Sequence, residues 1–170
     1  VISNAFVLYL RPGDAFVKEM GGIKRFMNYH GINVTDSGGF QMYKDTFLLK
    51  TTSEGVWFKS PFDGKKHFIS PEKDMEIQYN INSDIAMCLD TMPLTTHSTA
   101  YIRKAITQTA DWAQRCVRHH TSLHASHPDN RQLLFAISQG GIYPELREES
   151  CKSLKALPVD GFSIGGLALG

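Results

Sequence analysis

The chain has 170 residues and a mass of 19.0 kDa, with 42% hydrophobic, 11% aromatic and 21% charged residues. These are globular proportions, sufficient to bury one core, and they exclude the disordered, collagen-like and low-complexity classes. Eighteen basic against seventeen acidic side chains leave a net charge of +1, so a nucleic-acid partner would be gripped by a local patch and not by the overall field.

Taken in chain order, residues 5–10 (Ala-Phe-Val-Leu-Tyr-Leu) read as a short strand or buried turn, and 14–28 as a helix interrupted at Gly21-Gly22. Ile32-Asn33-Val34-Thr35 is a short strand stopping at Asp36-Ser37-Gly38-Gly39. Residues 56–69 predict a hairpin: Val56 to Lys59, a Pro/Asp-Gly turn at 61–64, then Lys66 to Ile69. Ser70-Pro71-Glu72 opens a helix to about Asn80, because serine caps free amides, proline suits the first helical position and glutamate suits the positive helix start. Ile85 to Leu89 is an apolar strand ending at Asp90. Residues 98–120 form a long helix, with Ile102, Ile106, Trp112, Ala113, Cys116 and Val117 on one face. Leu133 to Ile137 is a strand ending at Ser138-Gln139-Gly140-Gly141. Pro144 opens a helix to about Ala156, and Phe162 to Ile164 is a last strand ending at Gly165-Gly166.

Alternating strands and helices imply parallel βα units, and periodicity alone leaves a doubly wound sheet and a (β/α)8 barrel as alternatives. In either, the C-terminal ends of the strands face the active site. Asp36, Asp90, Gln139 and Gly165-Gly166 all sit at such ends and are expected to converge, although 54, 49 and 26 residues separate them in turn. Two carboxylates at one site suit general acid/base work, or divide into one proton carrier and one acceptor for a ligand. Gln139 offers an amide that donates and accepts, as the edge of a nucleobase requires. The bland alternatives are a helix cap for each Asp, ordinary turns for the glycine pairs and a solvent-facing loop for Gln139.

Cys88, Cys116 and Cys151 make an odd count without a Cys-x-x-Cys, and are expected to be reduced core thiols of a cytoplasmic protein. His119, His120, His124 and His127 lie in a polar stretch and are expected in a solvated loop, with no metal. No apolar run approaches the roughly 18 residues of a membrane span, and no secretory signal opens the chain. Four or five βα units are about half of the roughly 250 residues of a complete barrel, so the chain is expected to be a piece of a larger or split protein.

The hexapeptide Asp36-Ser37-Gly38-Gly39-Phe40-Gln41 resembles the signature of the tRNA-guanine transglycosylases, the queuine tRNA-ribosyltransferases. Other segments agree in order: Asn4 with Leu10-Arg11-Pro12-Gly13; Ser60-Pro61-Phe62-Asp63-Gly64 and Ser70-Pro71-Glu72; Ser83-Asp84-Ile85 through Asp90; Gln139-Gly140-Gly141; and Gly161 through Leu167. The resemblance implies a partial (β/α)8 TIM barrel with an inserted β-hairpin, residues 1–170 being its N-terminal to central part. It implies a glycosyltransferase that exchanges guanine in tRNA for a 7-deazaguanine through a covalent enzyme–ribose intermediate, in queuosine- or archaeosine-type tRNA modification. Asp36 would be the general acid/base, and Asp90 would accept from the N1/N2 edge of the purine. Gln139, Gly166 and Leu167 would read O6 and the nearby edge, and Phe40 or Tyr43 would stack on the base. The family's nucleophilic aspartate and its Cys3His zinc site lie later in its chain, so neither has a counterpart within residues 1–170. Its partners would be tRNA, guanine and 7-deazaguanine bases, and a second copy or a partner subunit, with no membrane.

Where bacterial members read Phe-Asp-Glu-Cys this chain has Leu89-Asp90-Thr91-Met92. Leu169 stands where bacterial members have Val and eukaryotic ones Gly, which implies a preference for a small 7-substituent over queuine. The rival expectations are a glycosidase using Asp36 and Asp90 as its carboxylate pair, and a non-catalytic subunit that binds tRNA or a partner. Local basic groups for tRNA are Lys59, Lys65, Lys66 and His67 on the hairpin, with Arg115 and Arg118 on the long helix the weaker candidates.

Overall fold

The computed structural model of the chain describes residues 1–38, 47–94, 96–126 and 130–167. In chain order the elements are β1 (Ile2–Asn4), α1 (Ala5–Leu10), α2 (Asp14–Glu19), α3 (Ile23–Phe26), β2 (Val34–Asp36), β3 (Leu48–Thr52), β4 (Gly55–Lys59) and β5 (Lys66–Ile69). They continue with α4 (Pro71–Ile81), β6 (Ile85–Met87), α5 (Thr99–Ser126), β7 (Leu133–Ser138), α6 (Pro144–Leu154) and β8 (Gly161–Ile164).

Five strands form one sheet in the order β1-β2-β6-β7-β8, every pair parallel. Each new strand is added on the same side, so the order never reverses as it does at the switch point of a doubly wound sheet. Helices follow the same row, with α1 and α2 packed on α4, α4 on α5 and α5 on α6. Parallel registration aligns the strand ends: Asn4 lies beside Asp36, and Ser138 beside Ile164.

Local chemistry sets these elements. Ser70 Oγ accepts from Lys73 N at 3.2 Å and Pro71 fills the first position of α4; Asn82, in the left-handed region at φ 58°, ends it. Helix α5 buries Ile102, Ile106, Trp112, Ala113, Cys116 and Val117, as its spacing predicts. Trp112 is fully buried, and its ring N–H donates to Ser53 O at 2.7 Å, which satisfies its polar end.

Four expectations are corrected. Residues 5–10 are helical: Asn4 Oδ1 accepts from Val7 N at 2.9 Å, a side-chain cap that starts a helix whatever the strand-like composition of the segment. The 56–69 hairpin is real but carries a third strand, β3, which pairs antiparallel with β4 through a register shift between Leu48 and Lys50. That sheet is separate from the parallel one and buries Val56, Phe58 and Ile69 in the main core. Helix α5 runs on to Ser126, so His119, His120 and His124 are helical, and His120 is buried against His124 with ring centroids 4.3 Å apart. Cys88 and Cys116 are core thiols, whereas Cys151 is exposed on α6. His127 lies outside the described residues.

Candidate active site

The C-terminal ends of β2, β6, β7 and β8 surround a cavity of about 250 Å³. Asp36, Ser37, Met87, Asp90, Ile137 and Gly165 are among its walls. Asp36 is the last residue of β2. Its Oδ1 accepts from Gly38 N at 2.6 Å and from Asn4 Nδ2 at 3.0 Å. The turn that brings the Gly38 amide back needs φ 78°, and a Cβ there would collide with Phe6, so only glycine serves. Burial nevertheless pushes the Asp36 carboxyl above its ordinary range, against the pull of both donors.

Asp90 follows β6 and is 6% exposed. Its Oδ2 accepts from Gln139 Nε2 at 2.5 Å and its Oδ1 from Ser37 Oγ at 3.4 Å. Burial pushes its pKa up to about 6; the bonds from Gln139 and Ser37 oppose this, and the nearby charge of Asp36 adds to it. Next along the chain, Thr91 N donates to Thr109 Oγ1 of α5 at 3.0 Å, which fixes the tip on its helix.

Gln139 is not a solvent-facing loop residue: it is fully buried, and its backbone N–H donates to Ser150 Oγ of α6 at 2.9 Å. Its Oε1 has no partner among the described residues, and its amide holds a second N–H beyond the one given to Asp90. Gly166, at φ 73°, leaves room for that oxygen, since a Cβ there would stand 2.7 Å from it. Gly166 lines the cavity, while Leu167 is exposed beyond it. Phe40, Tyr43 and Leu169 lie outside the described residues.

Beneath the two carboxylates, Gln78 of α4 pins both of their strands. Its Oε1 accepts from Thr35 Oγ1 at 2.8 Å and Met87 N at 3.0 Å; its Nε2 donates to Met87 O at 2.7 Å and Asp74 Oδ2 at 2.8 Å. All four hydrogen-bonding places of the amide are filled, so the separation of β2 and β6 is tightly specified. Asp74 is itself buried, and burial holds its carboxyl well above the usual range. Neither residue carries a motif at a strand tip; a polar pair at i and i+4 on the buried face of α4 was the available signal.

The basic groups divide. Lys59, Lys65 and Lys66 are exposed, and Lys59 stands directly opposite Lys66 across β4–β5. Like charges in that position repel, a cost that an anionic partner would relieve. His67 is occupied, stacked on Phe58 at 5.4 Å and bonded to Tyr9 Oη at 3.2 Å. Arg115 is occupied too: it grips Glu72 through two bonds of 2.7 Å and donates to Ser53 O at 3.1 Å. The described residues include no group of three or more His, Cys, Asp or Glu able to hold a metal ion. The zinc site that the resemblance implies is placed by it outside residues 1–170. No helix of the described residues is long and apolar enough to cross a membrane.

Known proteins match the chain over its whole length. A profile of the family described as queuine tRNA-ribosyltransferase matches residues 1–170. The chain is 46% identical over 170 residues to a queuine tRNA-ribosyltransferase of Desulforamulus reducens, covering 100% of this chain and 44% of that protein. It is 41% identical over 171 residues to one of Clostridium perfringens, with 99% and 45% covered. It is 43% identical over 172 residues to one of Clostridium botulinum, with 99% and 46% covered. The chain thus spans a little under half the length of these curated relatives, and it belongs to the queuine tRNA-ribosyltransferase family.

Proposed function

We propose that the full-length protein is a tRNA-guanine transglycosylase, exchanging a guanine of tRNA for a 7-deazaguanine, and that residues 1–170 form the N-terminal to central part of a (β/α)8 barrel. The one-directional strand order, with helices in the same row, supports the barrel. The cavity of about 250 Å³ is slightly smaller than usual small-ligand pockets and suits a base better than a whole nucleotide.

The observation that carries the proposal is the buried Asp90–Gln139 pair. Guanine presents two donors, N1–H and N2–H2, beside the acceptor O6. An ionised Asp90 accepts both donors, and the second N–H of Gln139, with the backbone of Gly166 and Leu167, reaches O6. Asp36, at the end of the neighbouring strand, carries the proton. Departure of guanine breaks the N9–C1′ bond, whose electron pair goes to the purine. An enzyme carboxylate forms the new bond to C1′, giving a covalent enzyme–ribose intermediate. The departing base takes a proton at N9, and the incoming 7-deazaguanine loses one as it attacks C1′. Asp36 is the residue of this chain suited to that shuttle; the nucleophile has no assignment within it. Phe40 or Tyr43 would stack on the base, as the family resemblance implies.

Base binding tests this. The full-length protein should bind guanine and 7-aminomethyl-7-deazaguanine in calorimetric titrations near pH 7.5, and Asp90→Ala should weaken both by roughly 10- to 100-fold. Undiminished binding by Asp90→Ala would refute the assignment.

A further inference from the structure

Arg147 of α6 spends its guanidinium on three backbone carbonyls. Nε donates to Gly141 O at 2.9 Å, Nη1 to Ser138 O at 3.2 Å and Nη2 to Gly165 O at 2.6 Å. Among the described residues no carboxylate pairs with it. The three carbonyls belong to the tips of β7 and β8, which carry Gln139 and Gly166.

The third bond differs from the others in its consequence. Gly165 C=O and Gly166 N–H are the two ends of one peptide unit. They point in opposite directions, because the unit is planar and trans. A charged donor on the carbonyl withdraws density through the unit and makes its N–H a stronger donor, as hydrogen bonds in series polarise one another. Among the described residues no acceptor engages that N–H, and both glycines line the cavity beside Asp90. We propose that Arg147 is a positioning residue that aims and strengthens the Gly166 N–H for a carbonyl oxygen of the bound base.

This rests on the base-exchange function proposed above. As the N9–C1′ bond breaks, its electron pair passes into the purine and part of the charge settles on O6. A donor sharpened by a fixed cation is therefore worth more in the transition state than in the ground state. The second-best explanation, a staple between two strand tips, requires the same bonds but no dependence on charge at the base.

The test uses the full-length protein, with labelled guanine exchanged into tRNA and guanine binding measured by calorimetry. Arg147→Gln should lower kcat by roughly 10- to 100-fold, weaken guanine binding by a smaller factor and leave KM for tRNA unchanged. Millimolar methylguanidinium should restore part of the lost kcat. If Arg147→Gln does not fold, Arg147→Lys carries the test: it keeps the charge but not the fork, and should show the same split with a smaller loss. Equal losses in guanine binding, tRNA KM and kcat, without rescue, would reduce Arg147 to a staple and overturn the inference while base exchange stands. A parent protein that neither binds guanine nor exchanges it would overturn the proposed function and this inference together.

Discussion

Asn4 and Asp36 end two neighbouring parallel strands, and Asn4 Nδ2 donates to Asp36 Oδ1 at 3.0 Å. Gly38 N lands on the same oxygen at 2.6 Å, so Oδ2 is left without a donor among the described residues. One oxygen is anchored and the other is available for a proton. Asn4 also caps α1 through its Oδ1, so a single side chain ties the helix start to Asp36.

Removing the Asn4 amide should therefore have two measurable effects. A donor favours the ionised carboxylate, so Asn4→Ala should raise the Asp36 pKa and move the acid limb of the pH–rate profile of the full-length protein to higher pH. Loss of the cap should lower stability by about 1 kcal/mol. A profile with an unmoved acid limb would detach Asn4 from the proton-carrying role.

Asp36→Asn keeps the shape of the side chain but cannot shuttle a proton. Its turnover should fall by about 100- to 10,000-fold while base binding survives. Single-turnover exchange together with calorimetry separates the two quantities, and turnover at the parent rate would exclude Asp36 as the acid/base group.

Burial of the Asp90 carboxyl costs stability once it ionises. Its carboxyl ionises near 3.8 in an unfolded chain and near 6 in the fold. Between those values the folded protein holds the extra proton, so the favourable contribution is present at low pH and is lost as pH rises through 6. The full loss amounts to about 3 kcal/mol. Asp90→Asn should thus be more stable than the parent in urea unfolding at pH 7.5, with the difference vanishing at pH 4, while base binding is impaired. A variant less stable than the parent at pH 7.5 would contradict the buried-charge cost.

The three hairpin lysines should be part of the tRNA footprint. Replacing Lys59, Lys65 and Lys66 with Ala should reduce the salt dependence of tRNA binding by somewhat under one unit for each lysine, about two to three in all. Removing the Lys59–Lys66 repulsion should leave the fold at least as stable. An unchanged salt slope would take the hairpin out of the footprint. Arg115, tied to Glu72, should affect stability and not the slope.

The site was more legible in the sequence than the elements around it. Asp36, Asp90 and Gln139 each end an apolar run, and the rule that parallel strands aim their C-terminal ends at one site brings them together. Helix α1 departs from the expected strand or turn because the cap supplied by Asn4 outweighs the strand propensities of Phe6, Val7 and Tyr9. Strand β3 lacks alternation, and its register shift breaks the period that would reveal it. The histidines of α5 suggested a loop by their polarity, yet neither Gly nor Pro interrupts the chain between Thr99 and Ser126. Arg147 bonds backbone carbonyls distant in sequence, which no local pattern marks, and for Gln78 the local sign is only its i, i+4 pairing with Asp74 on α4.

Edges bear on how the chain behaves alone. Ile2 of β1 is 68% exposed and Ile164 of β8 is 75% exposed, and these strands bound the parallel sheet. Open strand edges beside exposed aliphatic side chains favour association. The purified 170-residue chain should aggregate or self-associate in sedimentation velocity and should exchange no guanine. A monodisperse, active chain would refute this.

The most direct measurement is incorporation of labelled guanine into tRNA by the full-length protein, run side by side with Asp36→Asn and Asp90→Ala. Base exchange by strand-end carboxylates requires steady incorporation by the parent, near-complete loss in Asp36→Asn with base binding intact, and loss in Asp90→Ala that follows weakened base binding. No incorporation by the parent, or incorporation undiminished in both variants, would contradict it.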